Sequence, residues 1–204
     1  MPLPDLIEVH PLGASVRARV NVPGSKSITN RALVLAALGS GRVTLKHALW
    51  SEDTQVMTDC LRALGFEVSV EADPSEPGNR HISVAGLDGT IPRADLDLHV
   101  ANAGTAARFL AAMVCLGHGT YRLHGIDRMH QRPQAALFES LRQLGYRVDA
   151  PSNKLPATIH GTGSRAGGCT VSIEESSQFA SALLLSAGTG GWTVKIVGEN
   201  SEES

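Results

Sequence analysis

Aromatic residues make up only 4% of the 204 positions, too few for the stacking platforms that bind single-stranded nucleic acid. Basic residues form no run, and 18 of them against 20 acidic ones leave a formal net charge of -2. That balance argues against a DNA-binding or membrane-surface role. Cysteine is scarce: Cys60, Cys115 and Cys169 stand far apart, with no Cys-x-x-Cys pair. Neither a zinc knuckle nor a disulfide framework follows. Cys60 and Cys115 fall in apolar, helix-like patterns and are expected as buried thiols. No histidine lies in a His-x-x-x-His pair, so no histidine metal site is expected. No apolar run approaches a membrane span, and Met-Pro-Leu-Pro-Asp-Leu-Ile-Glu lacks the basic-then-apolar pattern of an export signal. The expected compartment is the cytoplasm.

What is present is a polar cluster that runs into an apolar helix. Residues 23–31 read Pro-Gly-Ser-Lys-Ser-Ile-Thr-Asn-Arg. Gly24 permits a close turn, and Ser25 and Ser27 offer caps and hydroxyls. A helix start leaves unpaired N–H groups and a partial positive charge. Lys26 adds a point charge, and Arg31, one turn after Ser27, adds a planar fork. The combination suits a phosphorylated or carboxylated small molecule.

The chain repeats itself. Met57-Thr-Asp-Cys-Leu-Arg-Ala-Leu-Gly-Phe-Glu-Val68 matches Leu137-Phe-Glu-Ser-Leu-Arg-Gln-Leu-Gly-Tyr-Arg-Val148. Each reads as a helix stopped by a glycine, Gly65 or Gly145, and then a strand. Upstream of each lie a polar cluster, an apolar helix (Ala32–Leu38, Phe109–Leu116), a glycine turn and a strand. A third copy begins at Ser176 with an apolar helix to about Gly190, and Trp192–Val197 reads as its strand. By analogy a second helix should follow, so the third unit reads as cut short and the chain as part of a longer or split protein.

One unit reads strand, helix, strand, helix, strand, strand, placed at 16–22, 27–38, 42–46, 53–64, 66–71 and 80–85 in the first copy. Stretches 73–79 and Ala150–Lys154 read as hairpin connections. The first helices lack a polar face and should be buried, and the Leu-Arg-x-Leu-Gly helices should cover them. The expected fold is α/β: pseudo-threefold repeats of a βαβαββ unit, with buried helices and outer sheets.

Each copy opens its buried helix on polar residues: Lys26, Ser27 and Arg31; Asn102, Gly104, Thr105 and Arg108; Ser176, Ser177 and Gln178. Under pseudo-symmetry the three helix starts would converge and their dipoles would add. Polar groups on buried helices are costly unless paired, which implies a shared ligand or mutual bonding. Asp127-Arg-Met-His-Gln-Arg132-Pro133 adds two arginines, with Pro133 suited to a first helical turn.

Pro23–Arg31, Asn102-Ala-Gly-Thr-Ala-Ala-Arg108, Arg128-Met-His-Gln-Arg132-Pro133 and Ser176-Ser-Gln-Phe179 together resemble the EPSP (5-enolpyruvylshikimate-3-phosphate) synthases. The resemblance covers essentially the whole chain but only the N-terminal half of the usual family length. It implies two lobes of three units each, with the active site between them. Residues 1–18 would then belong with the C-terminal lobe and hinge. Residues 19–204 would be the N-terminal lobe, in repeats of about 19–90, 91–160 and an incomplete 161–204.

The implied activity transfers the enolpyruvyl group of phosphoenolpyruvate to the 5-hydroxyl of shikimate 3-phosphate and releases phosphate, with no metal or organic cofactor. Lys26 matches the lysine that contacts both substrates, and is the implied catalytic residue of this chain. Ser27 and Arg31 match shikimate 3-phosphate ligands, Ser176 and Ser177 its phosphate ligands, and Gln178 a residue over both substrates. Gly104 and Arg132 match phosphoenolpyruvate-binding positions, with Asn102 and Thr105 in the same substrate-binding motif. The other lobe would supply the proton-transfer groups, so the implied partner is a complementary C-terminal lobe in the same or a separate chain.

Three positions depart from the family pattern: Ala101 replaces the usual glycine, Ala107 a common methionine and Phe109 the usual proline. They sit behind the implied phosphoenolpyruvate pocket, and reduced sensitivity to glyphosate is expected. Other readings stay open: a UDP-N-acetylglucosamine enolpyruvyl transferase relative, a non-catalytic anion-binding module, and a two-chain enzyme completed by a separate polypeptide.

Overall fold

The computed structural model describes residues 6–199 apart from 12 and 21. Helix α1 (Lys26–Leu38) begins where the Ser25 hydroxyl accepts the Ile28 N–H at 3.4 Å, and it stops at Gly39. Strand β1 (Ser40–Leu49) follows, then α2 (Glu52–Ala63), β2 (Val68–Ala72) and β3 (Asn79–Leu87). The start of α2 is favoured by Glu52 and Asp53 near its positive end and by Thr54, whose hydroxyl accepts the Ser51 N–H at 2.9 Å. These strands form an antiparallel sheet in the order β1-β3-β2, and the 73–79 stretch links β2 to β3.

The next segment holds β4 (Leu96–His99), α3 (Gly104–Met113) running into a 3-10 turn at Val114–Leu116, and β5 (His118–His124). Then come α4 (Asp127–Gln131), α5 (Ala135–Gln143), β6 (Arg147–Asp149) and β7 (Ala157–Thr162). Its sheet runs β4-β5-β7-β6, with β4 and β5 parallel and the other pairs antiparallel. Finally β8 (Gly167–Ser172) and β9 (Trp192–Val197) pair in parallel around α6 (Gln178–Gly190). Parallel neighbours need a crossover; α3 and α6 supply it.

The shared Leu-Arg-x-Leu-Gly motif has a local cause. After α2, Gly65 adopts φ +99°, its N–H reaches the Arg62 carbonyl at 3.0 Å, and the Phe66 N–H reaches the Leu61 carbonyl at 3.0 Å. After α5, Gly145 adopts φ +86°, with the matching bonds to Arg142 at 2.9 Å and from Tyr146 to Leu141 at 3.1 Å. Both ends are Schellman caps, which want glycine in the left-handed region. The motif arginine has a purpose the pattern did not disclose. Arg62 Nε donates to the Val68 carbonyl at 3.2 Å, and Arg142 Nε to the Val148 carbonyl at 3.2 Å. Each ties its helix to the strand that follows.

Helix α3 is buried along its whole length and packs against α1, α2 and α6. Two sheet glycines make its and α1's close fit possible. A Cβ at Gly86 of β3 would overlap the carbonyls of Gly39 and Ala36, and one at Gly161 of β7 those of Val114 and Gly117. Each inner helix thus ends directly on a strand.

Three expectations are corrected. No strand forms over 16–22: the described residues there are unpaired and exposed, with Val16 at 61% and Val20 and Val22 at 75%. Alternation alone gave the pattern, and no neighbouring strand meets it. Residue 21 lies outside the described residues, as do 1–5 and 12 of the expected first segment and 200–204 of the expected third unit. Second, α1 is not fully buried. Ile28 and Leu35 are 68% and 53% exposed, and Leu184 on α6 is 53% exposed. α1 packs against α2, α3 and α6 and still leaves these side chains exposed. Third, Pro133 precedes the first turn of α5, which starts at Ala135 with Gln134 in the cap position. The residues before Pro133 already form α4, so the chain must turn between two helices there.

Candidate functional site

At the head of α1 the Gly24 N–H donates to Asn79 Oδ1 at 2.9 Å, and a Cβ at Gly24 would meet the His47 carbonyl at 2.5 Å. Glycine is required there by the close approach. Lys26 Nζ pairs with Asp53 Oδ2 on α2 at 3.1 Å, both partly exposed. Arg31 donates to the Ser27 hydroxyl, to the Ser27 carbonyl at 3.2 Å, and across to the Ser181 hydroxyl on α6 at 3.0 Å. Its guanidinium lies 5.4 Å from the Phe109 ring centroid on α3.

At the head of α3 no side chain caps the helix, since Ala103 occupies the cap position. A loop cation covers it instead. Arg132 donates to the Asn102 carbonyl at 3.1 Å, and a Cβ at Gly104 would lie 2.5 Å from its Nη1. Gly104 therefore clears the space that Arg132 fills. Just upstream, Ala101 holds φ +46°, a conformation that costs a side chain roughly 1–2 kcal/mol.

Arg108 is 4% exposed. It donates to Gln178 Oε1 at 2.8 Å and to the Pro133 carbonyl at 3.4 Å, and it lies 5.0 Å from the Phe179 ring centroid. Burial first, then the neighbouring charge of Arg132, lowers its pKa to about 10, which leaves it a cation at neutral pH. The Thr105 hydroxyl also reaches Gln178 Oε1, at 3.5 Å. At the head of α6 the Ser176 hydroxyl accepts the Gln178 N–H at 3.3 Å, and Ser177 holds the cap position.

The structure therefore links the three helix starts: α1 to α6 through Arg31 and Ser181, α1 to α3 through Arg31 and Phe109, and α3 to α6 through Arg108 and Gln178. Arg132 joins the α3 group from the loop before α5. Lys26 is turned to Asp53, so a ligand must compete for it. Among the described residues no carboxylate lies within ion-pair distance of Arg31, Arg108 or Arg132. Unpaired, partly desolvated cations at converging helix starts make an electropositive surface suited to anions. Several buried polar atoms are also left without partners: Asn102 Oδ1, Arg108 Nε, and both amide ends of Asn30 and Gln134.

Ser181 was not among the site residues read from the sequence, Phe109 entered there only as a departure from the family pattern, and Phe179 only as the last residue of a motif. Ser181 had one signal, its place one turn after Ser177. The two phenylalanines read as core, and their role beneath the arginines depends on packing between helices. A recess of about 260 Å³ lined by Arg31, Leu35, Ser181, Leu184 and Leu185 opens beside this group. Among the described residues no helix is long and apolar enough to cross a membrane.

Comparison with protein families matches residues 12–203 to EPSP synthase (3-phosphoshikimate 1-carboxyvinyltransferase). Curated relatives carry the name 3-phosphoshikimate 1-carboxyvinyltransferase. One from Opitutus terrae is 44% identical over 92% of this chain and 43% of its own length. One from Vibrio cholerae serotype O1 is 43% identical over 90% and 43%. One from Trichormus variabilis is 42% identical over 90% and 42%. The chain thus spans less than half the length of the curated relatives it matches. The solved structure of an EPSP synthase from Acinetobacter baumannii superposes with a TM-score of 0.71 at 23% identity, over 82% of this chain and 37% of that one. That likeness concerns the fold.

Proposed function

The chain belongs to the EPSP synthase family, and on that premise we propose that it forms the shikimate 3-phosphate-binding lobe of an enolpyruvyl transferase. The reaction passes the enolpyruvyl group of phosphoenolpyruvate to the 5-hydroxyl of shikimate 3-phosphate and releases phosphate, in the cytoplasm. The observation that carries this reading is the linked group of Arg31, Arg108 and Arg132 at the heads of α1 and α3, none of them paired with a carboxylate among the described residues. Two polyanionic substrates need several cations to meet in one place, and the attack of the oxygen needs precise placement.

In this reading Lys26 leaves Asp53 to contact both substrates. Ser27 and Arg31 bind the shikimate ring, and Ser176 and Ser177 bind its phosphate. Gln178, Asn102 and Thr105 line the site, and Gly104 and Arg132 receive phosphoenolpyruvate. The lobe is read as pseudo-threefold repeats of one unit, seen as βαβαββ around β4–β7, without its first strand in the unit of β1–β3, and as β8-α6-β9 in the third among the described residues, with residues 1–18 assigned to the opposite lobe and hinge. The shared order β1-β3-β2 and β5-β7-β6, and the matching caps after α2 and α5, support the repeat. Proton transfer requires groups from a second lobe, carried by the same polypeptide or by another.

The test is calorimetric titration of the purified chain with shikimate 3-phosphate, with UDP-N-acetylglucosamine as comparator, followed by phosphate-release assays. Saturable binding of shikimate 3-phosphate alone is expected, with turnover appearing only when a C-terminal lobe is supplied. Preference for the nucleotide sugar, or no binding of either, overturns the assignment. Phe109 and Ala107 lie in α3 and Ala101 lies just before it, on the element whose start Arg132 covers. The assembled enzyme is therefore expected to resist glyphosate, and inhibition at the level of ordinary relatives would refute that.

A further inference from the structure

Arg108 is a buried cation with no carboxylate at ion-pair distance among the described residues, and Glu175 acts on it only from farther away. Leaving such a charge unpaired is costly, and stacking on Phe179 offsets only part of the cost. Its strongest bond goes to a neutral side chain, Gln178 Oε1, at 2.8 Å. The Thr105 hydroxyl approaches the same oxygen at 3.5 Å. A guanidinium carries donors only. An amide set against it must present its oxygen, because the NH2 end would place donor against donor. The other end of the Gln178 amide then points away from Arg108. Among the described residues Gln178 Nε2 has no hydrogen-bond partner, and the residue is half-buried at the head of α6 beside Ser176 and Ser177.

We propose that Arg108 is a positioning residue: it locks the Gln178 amide so that Gln178 meets an anion as a hydrogen-bond donor. The identity of the anion as shikimate 3-phosphate rests on the function proposed above. The locking of the amide rests on geometry alone. From α3, Arg108 reaches two other parts of the fold at once, α6 through Gln178 and Phe179 and the turn before α5 through Pro133. It therefore holds the donor still relative to Arg132, which hangs from the same turn. Glutamate at 178 would pair with Arg108 as a carboxylate but would offer the anion no donor.

The experiment uses the full chain, labelled with nitrogen-15, and three variants: R108Q, R108K and Q178E. The Gln178 side-chain resonances are identified by their loss in Q178E. In the wild-type chain the side-chain NH2 order parameter should exceed about 0.8, and in R108Q fall below about 0.6, because a neutral amide at 108 accepts either orientation. Lysine restores a donor and a charge, so R108K should recover most of the order. Calorimetry should show shikimate 3-phosphate binding weakened about tenfold in R108Q and within about threefold of wild type in R108K, the range expected for one charge-assisted bond. Q178E should melt higher than wild type and yet bind shikimate 3-phosphate at least about tenfold more weakly, an opposition that a purely structural role would not give. Gln178 remaining ordered in R108Q, or staying disordered in R108K, overturns the proposal. If the order parameters behave as stated while the wild-type chain fails to bind shikimate 3-phosphate, the positioning role stands and the substrate assignment falls.

Discussion

Residues 24–90 and residues 91–163 lay out corresponding strands, β1-β3-β2 in one and β5-β7-β6 in the other, yet they hold their inner helices by different means. In the first, Ser25 caps α1, Gly24 passes under the backbone of β1, and Lys26 is tied to the neighbouring α2. In the second, α3 has no capping side chain, and Arg132 arrives from the loop before α5 to cover its start. The exposure differs in the same sense: α3 is enclosed, while α1 shows Ile28 and Leu35 to solvent. The arginines follow suit. Arg31 bonds to hydroxyls on the rim, and Arg108 is buried against an amide and a ring. A self-contained helix start is legible locally, whereas one finished by a distant loop is set by the tertiary fold.

The largest expected effect tests whether the two regions are built alike where they look alike. Gly86→Ala and Gly161→Ala each drive a Cβ into two carbonyls at the end of an inner helix. Each should cost about 3 kcal/mol in urea unfolding, near the top of the overpacking range. A difference of more than about 1 kcal/mol between them would break the correspondence.

Phe109→Leu and Phe179→Leu come next. Both remove a buried ring from beneath an arginine. The first should cost about 1.5 kcal/mol and the second about 2 kcal/mol, because Arg108 is the more desolvated cation. The reverse order would mean that Arg31 leans harder on its ring than its exposure suggests.

Ala101→Gly relieves the left-handed backbone before α3. It should stabilise the chain by about 0.5 kcal/mol after the entropy cost of glycine, visible as a small rise in melting temperature. A fall would show that Ala101's side chain contributes contacts outweighing the strain.

The smallest effect concerns pH. In the link after β2 the Ser75 hydroxyl and N–H, then His47, hold Asp73 down at about 2. In the second sheet Arg147, then His160, lower Asp149. A folded-state pKa below the unfolded one gives stability that is present above the unfolded pKa and lost as pH falls through the folded one. For Asp73 that window runs from about 4 down to about 2. Asp73→Asn should flatten the acid limb of the stability curve more than Asp149→Asn does, as read from urea midpoints across that range.

Helix positions were legible because long apolar runs between serine and glycine leave few alternatives. The predicted 27–38 and 53–64 stand beside the observed Lys26–Leu38 and Glu52–Ala63. The strand expected at 16–22 failed because alternation describes a face without supplying a neighbour to pair with. Gly86 and Gly161 carried no local signal, since the carbonyls they clear belong to helices far away in sequence. The bond from Arg31 to Ser181 spans 150 residues, and no periodicity within one helix could announce it. Polar clusters on helix starts were visible as composition; which cation reaches which helix was not.

The three cysteines offer a practical consequence. All are buried, and burial raises each thiol above its ordinary range, Cys60 to about 12. At neutral pH the native chain therefore presents almost no thiolate to an alkylating reagent. A cysteine introduced at Leu35 or Leu184, both half-exposed beside Arg31, would be the one readily labelled position. The protein carries its own blank background for a fluorophore or spin label beside Arg31.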